Sequence, residues 1–273
     1  GVAQIVLLKP GTGYTTPPTV TLSGGGGSGA TAVAVKNWVT MTAPQADPTR
    51  DIHVTALLVD EHTLDEVQFD LTFSQQGRPF WVWGTGIKPG ETTQDFAKDN
   101  YYFSFTRLAA SGTITIAGTT HEVTGTTWMD HEYGYFGGSS ADARVRWLLQ
   151  DLQLDNGYSI SNAGILTVGY KPEIDVPVDA YATVQDAEGN LYYVASTITP
   201  VGELWTSPAT GNVYAQQFHV QIPSFQADLT VSVLVQNQEF PIAASPVYEG
   251  VAKPTGTMLG KPVTGDAWIE QAY

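Results

Sequence analysis

From Asp51 onward the chain repeats one pattern, a short run of alternating apolar and polar residues closed by a turn signal. The runs occupy residues 52–59, 66–74, 101–108, 112–116, 120–129, 145–154, 158–168, 180–185, 191–196, 216–222, 227–234 and 266–273. Ala117-Gly118, Asp155-Asn156-Gly157 and Glu188-Gly189-Asn190 punctuate them, each suited to a hairpin turn. No segment sustains a 3.6-residue period, so helices are not expected. The pattern predicts an all-β chain of antiparallel hairpins, closed into barrels or bent into curved sheets.

Composition narrows the partners. Twelve basic against 27 acidic residues give a net charge of −15, which repels phosphate backbones and argues against nucleic acid. No apolar run approaches the roughly 20 residues of a spanning helix, so no membrane span is expected. Cysteine is absent, which excludes disulfides, thiolate metal sites and a cysteine nucleophile. Few lysines on a Gly/Thr-rich acidic chain point toward an exported protein, periplasmic, cell-surface or extracellular. The start at Gly1 without a visible signal peptide reads as a mature or trimmed product.

The first 45 residues form a separate unit in the sequence. Prolines 10, 17 and 18 and the run Gly24 to Gly27 interrupt short β-patterned stretches, giving a glycine-rich β unit or linker. GGGGSG is not followed by a Lys-Ser/Thr pair or a helix, so a phosphate loop is not expected. Residues 46–165 and 166–273 are expected to make a first and a second β domain.

Chemistry concentrates in TGTTWMDHEYG, residues 124–134, where a strand pattern runs directly into Asp130, His131, Glu132 and Tyr133. Strand alternation places Trp128, Asp130 and Glu132 on one face and Met129, His131 and Tyr133 on the other. The whole Asp-His-Glu set therefore cannot meet one ligand. His131 carries the acid/base expectation, because an imidazole near carboxylates titrates close to neutral pH. A histidine locking the sheet by hydrogen bonds is the alternative.

YYFSFTRLAASGTITIAGTTHEVTGTTWMDHEYG, followed by VRWLLQDLQLDNGYSI, WTSPATGNVY, VQNQEF, VYEG and GDAWIEQAY, resembles the AttH/CrtC-type lipocalin-like family. That family includes AttH-like proteins, carotenoid 1,2-hydratases, kievitone hydratase and fungal Diels–Alderases. The resemblance covers about Tyr101 to Tyr273. It implies two lipocalin-like β domains with an apolar pocket in or between them, and either water addition to an isolated double bond or shaping of a polyene for cycloaddition. By position, Asp130-His131-Glu132 matches the family signature, with Tyr133 where Trp is common. Tyr102 and Arg107 match its Tyr-Tyr-Ser-x-x-Arg-Leu block, Glu249 its Tyr-Trp-Glu-Gly block, and Glu270 with Tyr273 its C-terminal block. Relatives carry a longer segment before the Tyr-Tyr-Ser block, which leaves open a first domain that is incomplete or completed by another chain. Ile160 stands where carotenoid hydratases place an Asp, which argues against that substrate.

Two readings follow. In one, the chain is a cofactor-independent lyase or cyclase, a hydratase or pericyclase-like enzyme, acting on an apolar isoprenoid- or polyketide-like small molecule. His131, Glu249, Glu270, Tyr133 and Asp130 are its catalytic candidates, and Trp128, Tyr158, Tyr102, Trp147 and Arg107 its substrate-binding ones. In the other, the same β shell binds lipophilic ligands or serves surface assembly, with self-association or a partner chain through the N-terminal region. Arg107 then pairs with Glu122, Glu249 or Glu270 in a structural ion pair. The remaining histidines, His53, His62, His121 and His219, lack a metal-ligand spacing, so no metal is expected.

Overall fold

The structure, a computed structural model, describes residue 19 and residues 37–44, 51–60, 63–91, 95, 97–135, 145–240 and 246–273. The described residues form β-strands and short 3-10 turns, among them Val82–Gly84 and Pro223–Phe225, with no α-helix. None of their helices is long and apolar enough to cross a membrane. The glycine-rich stretch lies almost wholly outside the described residues.

The chain divides into two compact units. In the first, β1 (Trp38–Thr42), β2 (Ile52–Val59) and β3 (Glu66–Gln75) pair antiparallel in sequence order. Beside β3 lie residues 108–116 of β5 (Asn100–Ile116), which pair in turn with β6 (Thr119–Gly134). This open sheet buries Ile52 and Ala56 from the alternating pattern of β2.

The second unit contains β4 (Phe80–Trp81), residues 100–107 of β5, residues 128–134 of β6, and every later strand. Eight of those strands close on themselves. They are β7 (Arg146–Leu154), β8 (Ser159–Leu166), β9 (Val178–Gln185), β10 (Leu191–Thr206), β11 (Val213–Ile222), β12 (Ala227–Val233), β14 (Val247–Met258) and β15 (Lys261–Ala272). Neighbours in sequence pair antiparallel, β12 pairs with β14, and β15 returns to β7, so the barrel has no open edge. The two-residue β13 (Glu239–Phe240) pairs onto β14 from outside this circuit. β7 and β8, expected in the first domain, are barrel staves; the barrel begins at Arg146 rather than at residue 166.

Alternation fills the barrel interior. Leu148, Leu152, Ile160, Ala182, Val184, Ile198, Phe218, Val220, Leu229, Tyr248 and Ile269 make one continuous apolar cluster. Each large side chain buried there contributes about 1.5–3 kcal/mol. The side chains on the other face of each stave therefore point outward, and the candidate site depends on that.

β14 was not legible as a strand, because VYEGVAKPTGTM carries Gly250, Pro254 and Gly256. At Gly256 a Cβ would sit 2.1 Å from the carbonyl oxygen of Asp228, and the other two have structural uses as well. Gly250 lies under the ring of Tyr248, at a place where a Cβ would come within 2.5 Å of the ring edge. Pro254 falls where the ladder to β15 is interrupted between Ala252 and Thr255, so its missing N–H costs no pairing with β15. At Gly265 on β15 a Cβ would sit 2.1 Å from the carbonyl oxygen of Gln153. Because that neighbour is β-sheet backbone, Gly265→Ala should destabilise the fold by about 1–3 kcal/mol, read as a lower urea midpoint at unchanged slope.

Candidate functional site

Three barrel strands present acids on the outer wall. On β7, Leu148, Leu152 and Leu154 enter the core, which leaves Trp147 and Asp151 on the opposite face. β15 likewise turns Ala267 and Ile269 inward and Trp268 and Glu270 outward, and β14 turns Tyr248 and Ala252 inward and Glu249 outward. The register then sets Glu249 directly across from Glu270, and Trp268 across from Asp151.

Within the same unit β6 brings Trp128, Asp130 and Glu132 on one face, as alternation predicts. The Trp128 indole N–H donates to Asp130 Oδ1 at 2.6 Å, two residues along the strand. Tyr102 Oη donates to Asp130 Oδ2 at 2.8 Å, and Ser104 Oγ donates to Oδ1. Two more indoles hold acids: Trp147 Nε1 donates to Glu270 at 2.9 Å and Trp268 Nε1 to Glu249 at 2.7 Å. Trp83 closes the aromatic surround, edge-on to Tyr102 with ring centroids 5.7 Å apart. Its backbone is left-handed (φ 61°, ψ 14°), a costly conformation for a bulky residue, and its N–H is fixed by Thr183 Oγ1 at 2.9 Å.

Burial and mutual repulsion keep Glu270, Glu249, Asp151 and Glu132 protonated to higher pH than ordinary carboxylates. Burial first, then Glu249, Asp130 and Glu132, push Glu270 up to about 7 against the opposing Trp147 hydrogen bond. Burial raises Glu249, with Asp130 adding to it and the Trp268 bond opposing. For Asp151, buried at 3% exposure, burial and then Asp130 and Glu270 raise the carboxyl well above its usual range. Glu132 is raised by burial, opposed by a hydrogen bond to Asn100, raised further by Asp130 and lowered by Lys88. The Tyr102 phenol is raised by burial, then by Asp151 and Asp130, so it remains a hydrogen-bond donor. Protonated carboxyls beside indole and phenol rings can give a proton to an apolar substrate.

The structure thus brings together Asp130, Glu249, Glu270, Trp128, Trp147 and Tyr102. His131 and Tyr133 lie on the other face of β6, as expected, with ring centroids 5.2 Å apart and Phe103 5.1 Å from His131. Their neighbours in that group are aromatic rings rather than the carboxyls. Tyr158 sits at the β7–β8 turn, edge-on to Phe225, and packs against the barrel core. Arg107 corrects an expectation. Instead of pairing with Glu249 or Glu270, it donates to the carbonyl oxygens of Leu154 and Tyr158 at 2.6 and 2.9 Å, because its long side chain reaches the turn's carbonyls. Asp151, Ser104 and Trp268 were missed. A lone Asp in the middle of RWLLQDLQL, a leucine-rich strand pattern, was the available signal.

Among the described residues no group of three or more His, Cys, Asp or Glu is arranged to hold a metal. His53 and His219 instead each meet one surface carboxylate, Asp70 at 2.7 Å and Asp228 at 2.9 Å.

The AttH-like family model matches residues 20–272. The chain belongs to the AttH-like family. Solved structures that resemble this AttH-like chain include the following two. A putative AttH from Nitrosomonas europaea aligns with a TM-score of 0.62 and 22% identity, over 80% of this chain and 64% of its own. Kievitone hydratase from Nectria haematococca aligns with a TM-score of 0.66 and 18% identity, over 89% of this chain and 70% of its own. This chain therefore spans less than two thirds of the putative AttH's length. No curated protein matches it. At these identities the two structures share the fold, an all-β architecture of lipocalin-like kind, with this chain.

Proposed function

We propose that this AttH-like protein is a cofactor-independent lyase of the hydratase kind, acting on an apolar isoprenoid- or polyketide-like small molecule. The observation that carries the reading is Glu270, an acid with a pKa near neutral on the outer wall of the barrel, with Trp147 and Trp268 of that wall and Trp128 of β6 each holding a carboxylate of the group. Likeness of fold to a protein named a hydratase adds support.

In the reaction we propose, Glu270 gives its proton to one carbon of a C=C bond. A C–H bond forms, the π pair is used up, and the neighbouring carbon becomes cationic. The indole and phenol faces of Trp147, Trp268, Trp128 and Tyr102 stabilise that cation through their negative ring faces. A water oxygen then bonds to the cationic carbon, and the proton that the resulting oxonium loses returns to a carboxylate of the group, Glu249 or Glu270. The net change is addition of one water. Capture of the cation by a second alkene in place of water would give cyclisation. Carboxyls poised to take back a proton from water favour hydration.

Turnover of acyclic isoprenoid and polyketide-like alkenes tests this directly, with Glu270→Gln as the comparison. Equal turnover by the two proteins would remove Glu270 from the reaction.

The assembly reading retains one observation of its own. β1 ends the described sheet with Trp38, Val39 and Met41 exposed, 63% in the case of Val39, and a strand in that place can accept a further strand. Self-association through this region is expected to give a dimer in light scattering at micromolar concentration; a monomeric mass throughout would remove it. Export to the periplasm, cell surface or medium belongs to the same proposal.

A further inference from the structure

Inside the barrel, two side-chain amides face each other among apolar neighbours. Gln150 shares the inward face of β7 with Leu148 and Leu152, and Asn162 shares that of β8 with Ile160. The register sets the two directly across from one another, with Ile269 of β15 on the far side of Gln150 and Ala182 of β9 beyond Asn162. Gln150 is 1% exposed and Asn162 is fully buried. From β10, Ser196 reaches past the small side chains of Ala180 and Ala182 and donates its hydroxyl to Asn162 Oδ1 at 2.5 Å. Gln150 Nε2, Gln150 Oε1 and Asn162 Nδ2 have no hydrogen-bond partner among the described residues.

Unpaired amide groups in an apolar interior are costly, and buried polar atoms in folded proteins are nearly all hydrogen-bonded. The two nitrogens need acceptors and Gln150 Oε1 needs a donor, so whatever satisfies them plays both parts. A charged guest would find no counter-charge in Leu148, Leu152, Ile160, Ala182 and Ile269. A large guest would have to displace Ile198, Phe218 or Tyr248 from the same continuous cluster. Water is neutral, small, and both donor and acceptor. We propose that Gln150 and Asn162 form an internal hydration site, in which trapped water accepts from the two amide nitrogens and donates to Gln150 Oε1.

This site is independent of the hydratase reading. It ties β7 to β8 from within, and its use is in the register. Asp151 follows Gln150 on β7 and points outward, so a slip of one residue would turn the aspartate into the core and the amide out. A bridged Gln150 favours the register that keeps Trp147 and Asp151 on the outer wall.

NMR spectra of the 15N-labelled full chain test the site without any substrate. The side-chain amide protons of Gln150 and Asn162 are expected to show cross-peaks at the water frequency whose sign reverses between laboratory-frame and rotating-frame spectra, the mark of water retained longer than the protein takes to tumble. Ser196→Ala removes the exchanging hydroxyl bonded to Asn162 and should leave those cross-peaks in place. A wild type without them, or with cross-peaks only between the two amides, would overturn the site whether or not the variants fold. Their loss in folded Ser196→Ala would overturn it as well, and so would a native mass exceeding the polypeptide by an organic guest that is released on unfolding. Urea midpoints give a second reading. Gln150→Leu and Asn162→Leu each remove an anchor of the water and are expected to lower the midpoint, the double variant lowering it by less than the two shifts added. Midpoints that rise in each single variant and add in the double would mean two independent unpaired amides and would overturn the bridge.

Discussion

The protein is expected to be more stable near pH 5 than at pH 8, opposite to the usual behaviour of an acidic domain rich in paired carboxylates. Glu270 carries the largest stated part. Its carboxyl is raised from 4.5 to about 7 on folding, chiefly by burial and next by Glu249. The native state therefore holds a proton that the unfolded chain has already lost over that interval, and linkage lowers stability as pH rises. The contribution is fully present below pH 4.5, declines through the window up to about 7, and is gone above it. At about 1.4 kcal/mol per unit this is on the order of 3 kcal/mol, reduced by solvent screening at the partly exposed end of the side chain. Asp151, Glu249 and Glu132 are raised too and act with the same sign.

A second set of acids limits the effect on the low side. Burial alone would raise Glu239, but hydrogen bonds from Ser207, Thr210, Tyr214 and Asn212 outweigh it and lower its pKa. Its contribution is present above 4.5 and is lost as pH falls through the folded value. Asp228, held by His219, behaves likewise. Stability should therefore pass through a maximum between the two sets, measured as urea midpoints across pH. Glu270→Gln keeps an acceptor for Trp147 and removes the titration, so it should flatten the alkaline limb and raise stability at pH 8 by about 1–3 kcal/mol. A group kept at a cost to stability is what a functional site predicts.

The second large effect is on turnover. If Glu270 is the general acid, Glu270→Gln should lower kcat by about 100- to 10,000-fold, the range that removal of a positioned proton donor gives. KM should change little, because the amide preserves the shape and the Trp147 contact. The wild-type rate should hold below about pH 7 and fall above it, as Glu270 loses its proton. Trp268→Phe removes the indole N–H that holds Glu249, with much of the ring area kept. Its effect should be smaller and should fall on kcat more than on KM.

Much of the fold was legible because alternation and turn chemistry are local. Ile52–Val59 is a strand at the predicted residues, and β7 differs from its predicted span by a single residue. The signature strand runs unbroken to Gly134, where a positive φ of 105° and the close carbonyl of Asp99 end it. What was hidden depends on non-local approach. Gly250, Pro254 and Gly256 read as turn residues until neighbouring strands and the Tyr248 ring are placed beside them. β5 was expected as two strands, 101–108 and 112–116, yet it runs unbroken, and at Gly112, where a Cβ would meet the carbonyl of Asp70 at 2.1 Å, the glycine permits continuous pairing.

The site followed the same division. Alternation correctly separated Asp130 from His131, but which face would gather acid partners depended on a barrel register not visible in the sequence. That register carries Glu249 and Glu270 to one place and adds Asp151, whose mid-strand position had no motif to mark it. Arg107 looked like an ion-pair partner because a buried charge needs one. Its actual partners are backbone carbonyls, which sequence composition cannot reveal.

Hydration in deuterated water tests the proton-donating role of the acid group most directly. An alkene substrate turned over by the wild type should gain one deuterium on the carbon next to the new hydroxyl-bearing carbon, at a rate falling above about pH 7 and lowered at least about 100-fold in Glu270→Gln. Deuterium incorporation at the same rate in wild type and Glu270→Gln across that pH range would contradict it.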